Sequence, residues 1–151
     1  MTIQRFLSPR KWRRLGWAGF PLLVEVVGSY YVFRTLEGEP LPESLERLSR
    51  ARPKKRTDPK ELVRVVDWFL QPIHGASRCR PRAAVLFRML SRRDFDPVVV
   101  FGVSRKSKEL DGHAWVLLDQ EPLGEWEDPR EKFVETYRYP GNGEWRRESG
   151  E

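Results

Sequence analysis

The 151-residue sequence is poor in thiols, imidazoles and long uncharged runs. Its one cysteine, Cys79, forms no internal disulfide and suits a reducing compartment. Together with His74 and His113 it offers too few ligands for an ordinary structural zinc site, so neither a metal nor an organic cofactor is expected. The longest run without charge, Leu15 to Val24, has 10 residues, about half of what crosses a bilayer. The polar, basic stretch from Met1 to Arg14 does not read as a cleavable signal, and the expected location is the cytoplasm.

What is present describes a folded domain. Hydrophobic residues make up 39 % and charged residues 33 %, a balance that supports one core rather than a disordered chain. The net charge of +6 is unevenly placed: residues 1–60 hold 13 Lys/Arg against 6 Asp/Glu, and the remainder is nearly balanced. A basic first part suits an anionic lipid surface or an acidic partner, or simply a solvated face formed by Arg10, Lys11, Arg13 and Arg14. No helix-turn-helix, zinc or RNA-binding signature accompanies it, so nucleic acid is not an expected partner.

Ser8-Pro9 is a good helix start, and the apolar run Leu15 to Leu36 reads as a helix kinked or divided by Pro21. Leu41, Leu45 and Leu48 repeat at helical spacing. Ala51 to Arg56 is a basic connector. Asp58-Pro59-Lys60-Glu61 has the pattern of a capping box, opening a helix whose apolar face ends before Pro72. These features divide the chain into an apolar and basic helical region over 1–56, a core over 57–139 and a flexible tail over 140–151.

Ser77-Arg78-Cys79-Arg80-Pro81 opens the next helix. Proline is tolerated in a first turn and not in a helix interior, so Cys79 lies at or near the N-terminus. There the free amides, the helix dipole and the charges of Arg78 and Arg80 favour thiolate, and the amides suit an oxyanion. Along this helix Arg82, Arg88, Arg92 and Arg93 are expected to face solvent. Pro97 to Val103 is a β-branched strand, and Ser104 to Gly112 a polar loop. His113 then opens the strand His113-Ala114-Trp115-Val116-Leu117-Leu118, followed by a turn at Asp119-Gln120-Glu121 and a third strand near Pro122 to Trp126. A three-residue loop would set Glu125 opposite His113, and a two-residue loop Asp128. Either carboxylate suits the task of orienting the imidazole. His74 has no acid near it in sequence and reads as incidental. A sole thiol at a helix start, with a histidine at a strand start, is the arrangement of a cysteine nucleophile and its base.

Ser77-Arg78-Cys79 before a helix, Arg92-Arg93-Asp94-Phe95-Asp96 leading to Val99-Val100-Phe101-Gly102-Val103, and then Gly112-His113-Ala114-Trp115-Val116, together resemble the transglutaminase-like domain of lasso-peptide maturation proteases, the B proteins. The resemblance continues through Pro122-Leu123-Gly124-Glu125 to Arg130-Glu131-Lys132-Phe133 and covers roughly residues 60–135. Cysteine followed by His-Ala-Trp is widespread among transglutaminase-like and papain-like proteins, so order, spacing and short length carry the resemblance. It implies Cys79 as nucleophile, His113 as base and Glu125 as orienting acid. The family's acid is Asp, which keeps Asp128 as an alternative, and Leu117 stands where members often have Glu. The length resembles the split type, which implies a precursor peptide of leader plus core as substrate. It also implies a separate small leader-recognition protein and an ATP-dependent lasso cyclase that receives the core.

The expected fold is α+β, a transglutaminase-like (papain-like) cysteine peptidase fold: N-terminal helices, Cys79 at a helix N-terminus, and a small antiparallel sheet carrying His113 and its acid. The expected activity is leader-peptide removal. A transglutaminase or amidase on the same scaffold, or a non-catalytic scaffold in which Cys79 is merely packed, are the other readings these residues allow.

Overall fold

The computed structural model describes residues 13, 16–50, 52–104, 106 and 111–140. The helix start at Ser8-Pro9 and the tail after Pro140 lie outside the described residues. Pro21 does not kink a longer helix; it stands in the first turn of α1, Phe20–Leu36, where its missing N–H has no partner to lose. A short 3₁₀ turn, Trp17–Gly19, precedes it. Helix α2, Leu41–Ser49, buries Leu45 and Leu48 and leaves its other face to Arg and Glu. Asp58 caps α3, Pro59–His74, by accepting from the Lys60 N–H at 2.9 Å. Glu61 turns to Arg64, so the reciprocal half of the capping box is not its carboxylate's main engagement.

Helix α3 runs through Pro72 and ends at His74, three residues beyond the expected stop before Pro72. Proline so close to a C-terminus costs one backbone bond, and Gly75, at φ 54°, then ends the helix. A 3₁₀ turn, Gly75–Arg78, passes directly into α4, Cys79–Ser91, with Pro81 in its first turn.

Helix α4 is the centre of the molecule, packed by α1, α2, α3 and the sheet. Its arginines are therefore not left in solvent as the sequence suggests. Arg82 and Arg93 are buried, and Arg88 and Arg92 are half-buried. A guanidinium tolerates this only when its donors are matched. Glu25, the one acid of α1, accepts from Arg93 at 2.8 and 2.6 Å and lies 3.3 Å from Arg92. The basic connector is held at the same end, where Lys54 N donates to Arg92 O and Arg92 Nε to Arg52 O.

The sheet has four antiparallel strands in the order β3-β2-β1-β4: β1 Val98–Ser104, β2 Gly112–Leu118, β3 Glu121–Pro122 and β4 Phe133–Tyr139. Val99, Ala114 and Val116 face the helices and join one apolar core with Leu23, Val66 and Leu86. Val100, Trp115 and Leu117 form a second, smaller cluster with Phe133 against them.

Two features of the sheet depart from the sequence reading. The third strand is only two residues long, because Pro122 has no N–H for the ladder and Gly124, at φ +66°, turns the chain out of the sheet. The fourth strand, β4, was not anticipated; it is an edge strand whose exposed Glu135, Thr136 and Arg138 blur the apolar alternation. Among the described residues, no helix is long and apolar enough to cross a membrane.

Candidate functional site

Three chain segments converge where α4 meets the sheet. The 3₁₀ turn delivers Cys79 as the first residue of α4, and β2 delivers His113 as its second residue, opposite Gly102 of β1. The Cys79 thiol faces the His113 imidazole and the main-chain N–H groups of Ala114 and Arg80, all of which favour its charged form. His113 Nε2 donates to Glu125 Oε2 at 3.1 Å, which leaves Nδ1 as the nitrogen for the thiol.

Glu125 reaches His113 although the β2–β3 turn contains two residues, Asp119 and Gln120, both at positive φ. The sequence reading tied a two-residue loop to Asp128, but the register Leu117↔Pro122, if continued, would set Trp126 opposite His113, so loop length selects neither acid. The chain instead leaves the ladder after Pro122, and Arg82 fixes the next turn by donating Nη2 to Gly124 O at 2.8 Å. A Cβ on Gly124 would lie 2.6 Å from Val63 Cγ1 and 2.8 Å from Arg82 Nη2, so the close approach depends on glycine. Asp128 borders the same cleft, yet its carboxylate is taken up by Arg130 at 2.7 to 3.0 Å and caps the 3₁₀ turn Pro129–Glu131. That pairing holds the Asp128 carboxyl below its ordinary range.

Behind Glu125 stands a layer that the sequence reading did not identify. Arg82 Nη1 donates to Glu125 Oε1 at 3.0 Å, and its Nε and Nη2 reach the two oxygens of Asp67 at 2.6 and 3.3 Å. Its side chain is 8 % exposed, and that of Glu125 14 %. One carboxylate oxygen of Glu125 thus faces the imidazole while the other accepts from Arg82, whose guanidinium is itself held at two points by Asp67. The available signals were Arg82 three residues after Cys79 on one helix, and Asp67 inside the apolar run of α3.

Aromatic rings fix the imidazole from the sides. Phe133 stacks on His113 at 5.1 Å between centroids and Trp115 at 5.8 Å. Gly102 makes room for them: a Cβ there would meet Trp115 and Phe133 at 3.0 Å and Val134 O at 2.9 Å. Beside His113 and Glu125 opens a cleft of about 260 Å³ walled by Trp126, Pro129, Lys132 and Phe133.

The electrostatics are those of an ion pair. Cys79 is held below its usual 9.0, first by the hydrogen bond to His113 and then by the Ala114 and Arg80 N–H groups, while partial burial opposes them. His113 is pushed up from 6.5 to about 9 by Cys79 first and Glu125 second. The two shifts belong to one coupled pair, in which each group favours the charged form of the other. Arg78, expected to act on the thiol by its charge, donates instead to Gly75 O at 2.8 Å. His74 bonds Tyr30 Oη at 2.7 Å, away from this cluster. Among the described residues no group of three His, Cys, Asp or Glu side chains converges as metal ligands would.

The sequence profile described as the transglutaminase-like superfamily matches residues 29–138, a span that contains Cys79, His113 and Glu125. Searches of curated proteins and of solved structures gave no match.

Proposed function

The chain belongs to the transglutaminase-like superfamily, which includes cysteine peptidases, and on that premise we propose that it removes the leader peptide from a ribosomally made lasso-peptide precursor. The observation that carries the chemistry is the chain of contacts from the Cys79 thiol through His113 to Glu125, with the thiol pulled down and the imidazole pushed up. The order and spacing of Ser77-Arg78-Cys79, Gly112-His113-Ala114-Trp115 and Glu125 support the substrate class.

In this reading the Cys79 thiolate attacks the carbonyl of the amide that joins leader to core. The Arg80 N–H, at the free end of α4, stabilises the oxyanion. As the C–N bond breaks, the His113 imidazolium gives its proton to the departing core amine, leaving the leader as a thioester on Cys79. His113 then takes a proton from water as the oxygen attacks the thioester, and the thiolate is restored. Glu125 keeps the imidazole in the tautomer with Nδ1 toward sulfur. A separate small leader-recognition protein presents the precursor, the freed core passes to an ATP-dependent cyclase, and the work takes place in the cytoplasm.

The test is mass spectrometry of the precursor peptide after incubation with the protein and its recognition partner, for wild type, Cys79→Ala and His113→Ala. Cleavage at one bond by wild type alone is the expected result. Full cleavage by either variant refutes the assignment, and a product that joins two chains in place of adding water makes the enzyme a transamidase.

A further inference from the structure

Helix α1 is apolar on faces that cannot all be buried at once. Leu23, Val26, Ser29 and Leu36 point into the core. At successive spacings of three, four and seven residues, close to one, one and two helical turns, Trp17, Phe20, Val24 and Tyr31 point away from it, and they are 96, 52, 58 and 70 % exposed. Four large side chains in one row are unlike the scattered single apolar residues of ordinary surfaces. The row is about 20 Å long, from the 1.5 Å rise per residue, so it presents a line of contact.

Glu25, the sole carboxylate of α1, is turned inward and 6 % exposed against Arg92 and Arg93, so no acid of α1 lies on the outer face. Arg34, at the far end, pairs with Glu37 just beyond the helix. On the other side the sequence running into Trp17 carries Arg10, Lys11, Arg13 and Arg14 with no acid among residues 1–24. Apolar and aromatic side chains beside a basic cluster form the pattern that lies in a lipid interface.

We propose that the outer face of α1 docks the protein on an anionic membrane surface. Trp17, Phe20, Val24 and Tyr31 enter the interface in the plane of the bilayer, and the basic segment before Trp17 pairs with anionic headgroups. The helix lies on the surface and does not span it. Charge complementarity decides for lipid over a neutral protein groove, which would gain nothing from four cationic side chains within residues 10–14 and a helix face with no acid of its own. This inference is independent of the peptidase reading.

The test is flotation of the full-length protein with vesicles of phosphatidylcholine alone and of equal parts phosphatidylcholine and phosphatidylglycerol. The protein is expected to float with the anionic vesicles only. Arg13→Gln/Arg14→Gln is expected to weaken partitioning by ~30-fold, from roughly one factor of five per neutralised basic residue. Phe20→Ser/Val24→Ser, at exposed positions that leave the core intact, is expected to abolish it, with circular dichroism confirming the fold. Absence of the wild type from anionic vesicles overturns the proposal, as does unchanged flotation of Phe20→Ser/Val24→Ser. A dimer in light scattering that this variant dissociates, without vesicle binding, also overturns it and assigns the face to a second copy.

Discussion

Replacing Glu125 by Gln changes one atom and leaves the clamp on it in place, which makes it the sharpest probe of the site. Arg82 carries only donors, so the Gln oxygen must take the position facing Arg82 and the amide NH₂ must face His113. Nε2 is then forced to accept, its proton moves to Nδ1, and the imidazole no longer has a free nitrogen for the thiol. The charge is lost as well. His113 stands at about 9, well above its ordinary 6.5, which favours the imidazolium. Cys79 is the first cause and Glu125 the second, each acting by hydrogen bond and by charge, so losing the Glu125 charge lowers the value. The assay is a proton NMR titration of the two histidine Cε1–H signals, with His74→Gln to assign them. The wild-type His113 midpoint is expected at about 9 and the variant's below it, with activity reduced on the order of ten-thousandfold by the wrong tautomer. A midpoint still at about 9 in Glu125→Gln refutes the account of what raises this histidine.

Arg82→Met leaves the Glu125 and Asp67 carboxylates without their shared cation and is expected to cost about 3–5 kcal/mol in urea denaturation; Arg82→Lys, one point charge in place of a fork, restores only part of it. Asp128→Asn loosens the 3₁₀ turn at Pro129 but is expected to keep wild-type cleavage, since its carboxylate serves Arg130; a loss like that of Glu125→Gln would return the orienting role to Asp128. In Cys79→Ala, Glu125 alone raises His113. A raised folded value means that its contribution to stability is fully present below about 6.5 and is lost as pH rises through the folded value, which lies below the wild-type value of about 9. Urea midpoints across that window check the sign, and a midpoint that rises with pH there contradicts it.

Much of this arrangement is legible in the sequence because it rests on local rules. Pro81 limits how far Cys79 can lie from a helix start, Asp58-Pro59 marks the start of α3, and the β-branched run at Val98 to Val100 marks β1. The features that were not legible are those set by tertiary contact. Arg82 and Arg93 look like solvated residues on a helix with enough apolar neighbours, and only the packing of α4 on every side reverses that. Strand β4 carries too many exposed polar residues to announce itself, yet it supplies Phe133 to the imidazole. Hairpin counting does not select the acid, because a continued third strand would set Trp126 opposite His113 and the strand in fact ends at Pro122. Glu125 was nevertheless a candidate, since its distance from His113 along the chain is short whichever way the loop bends.

Helix α4 holds both Cys79 and, one turn on, the arginine that anchors Glu125, 43 positions further along the sequence. Sulfur and acid are therefore aligned by the same rigid rod, and only after that rod has docked on the sheet. In an unfolded or half-assembled chain the thiol has no imidazole and the imidazole no acid, so the sulfur has the ordinary reactivity of a free cysteine. Chemical competence thus arrives with the last long-range contacts, and a newly made chain is harmless to neighbouring peptides until its own architecture is complete.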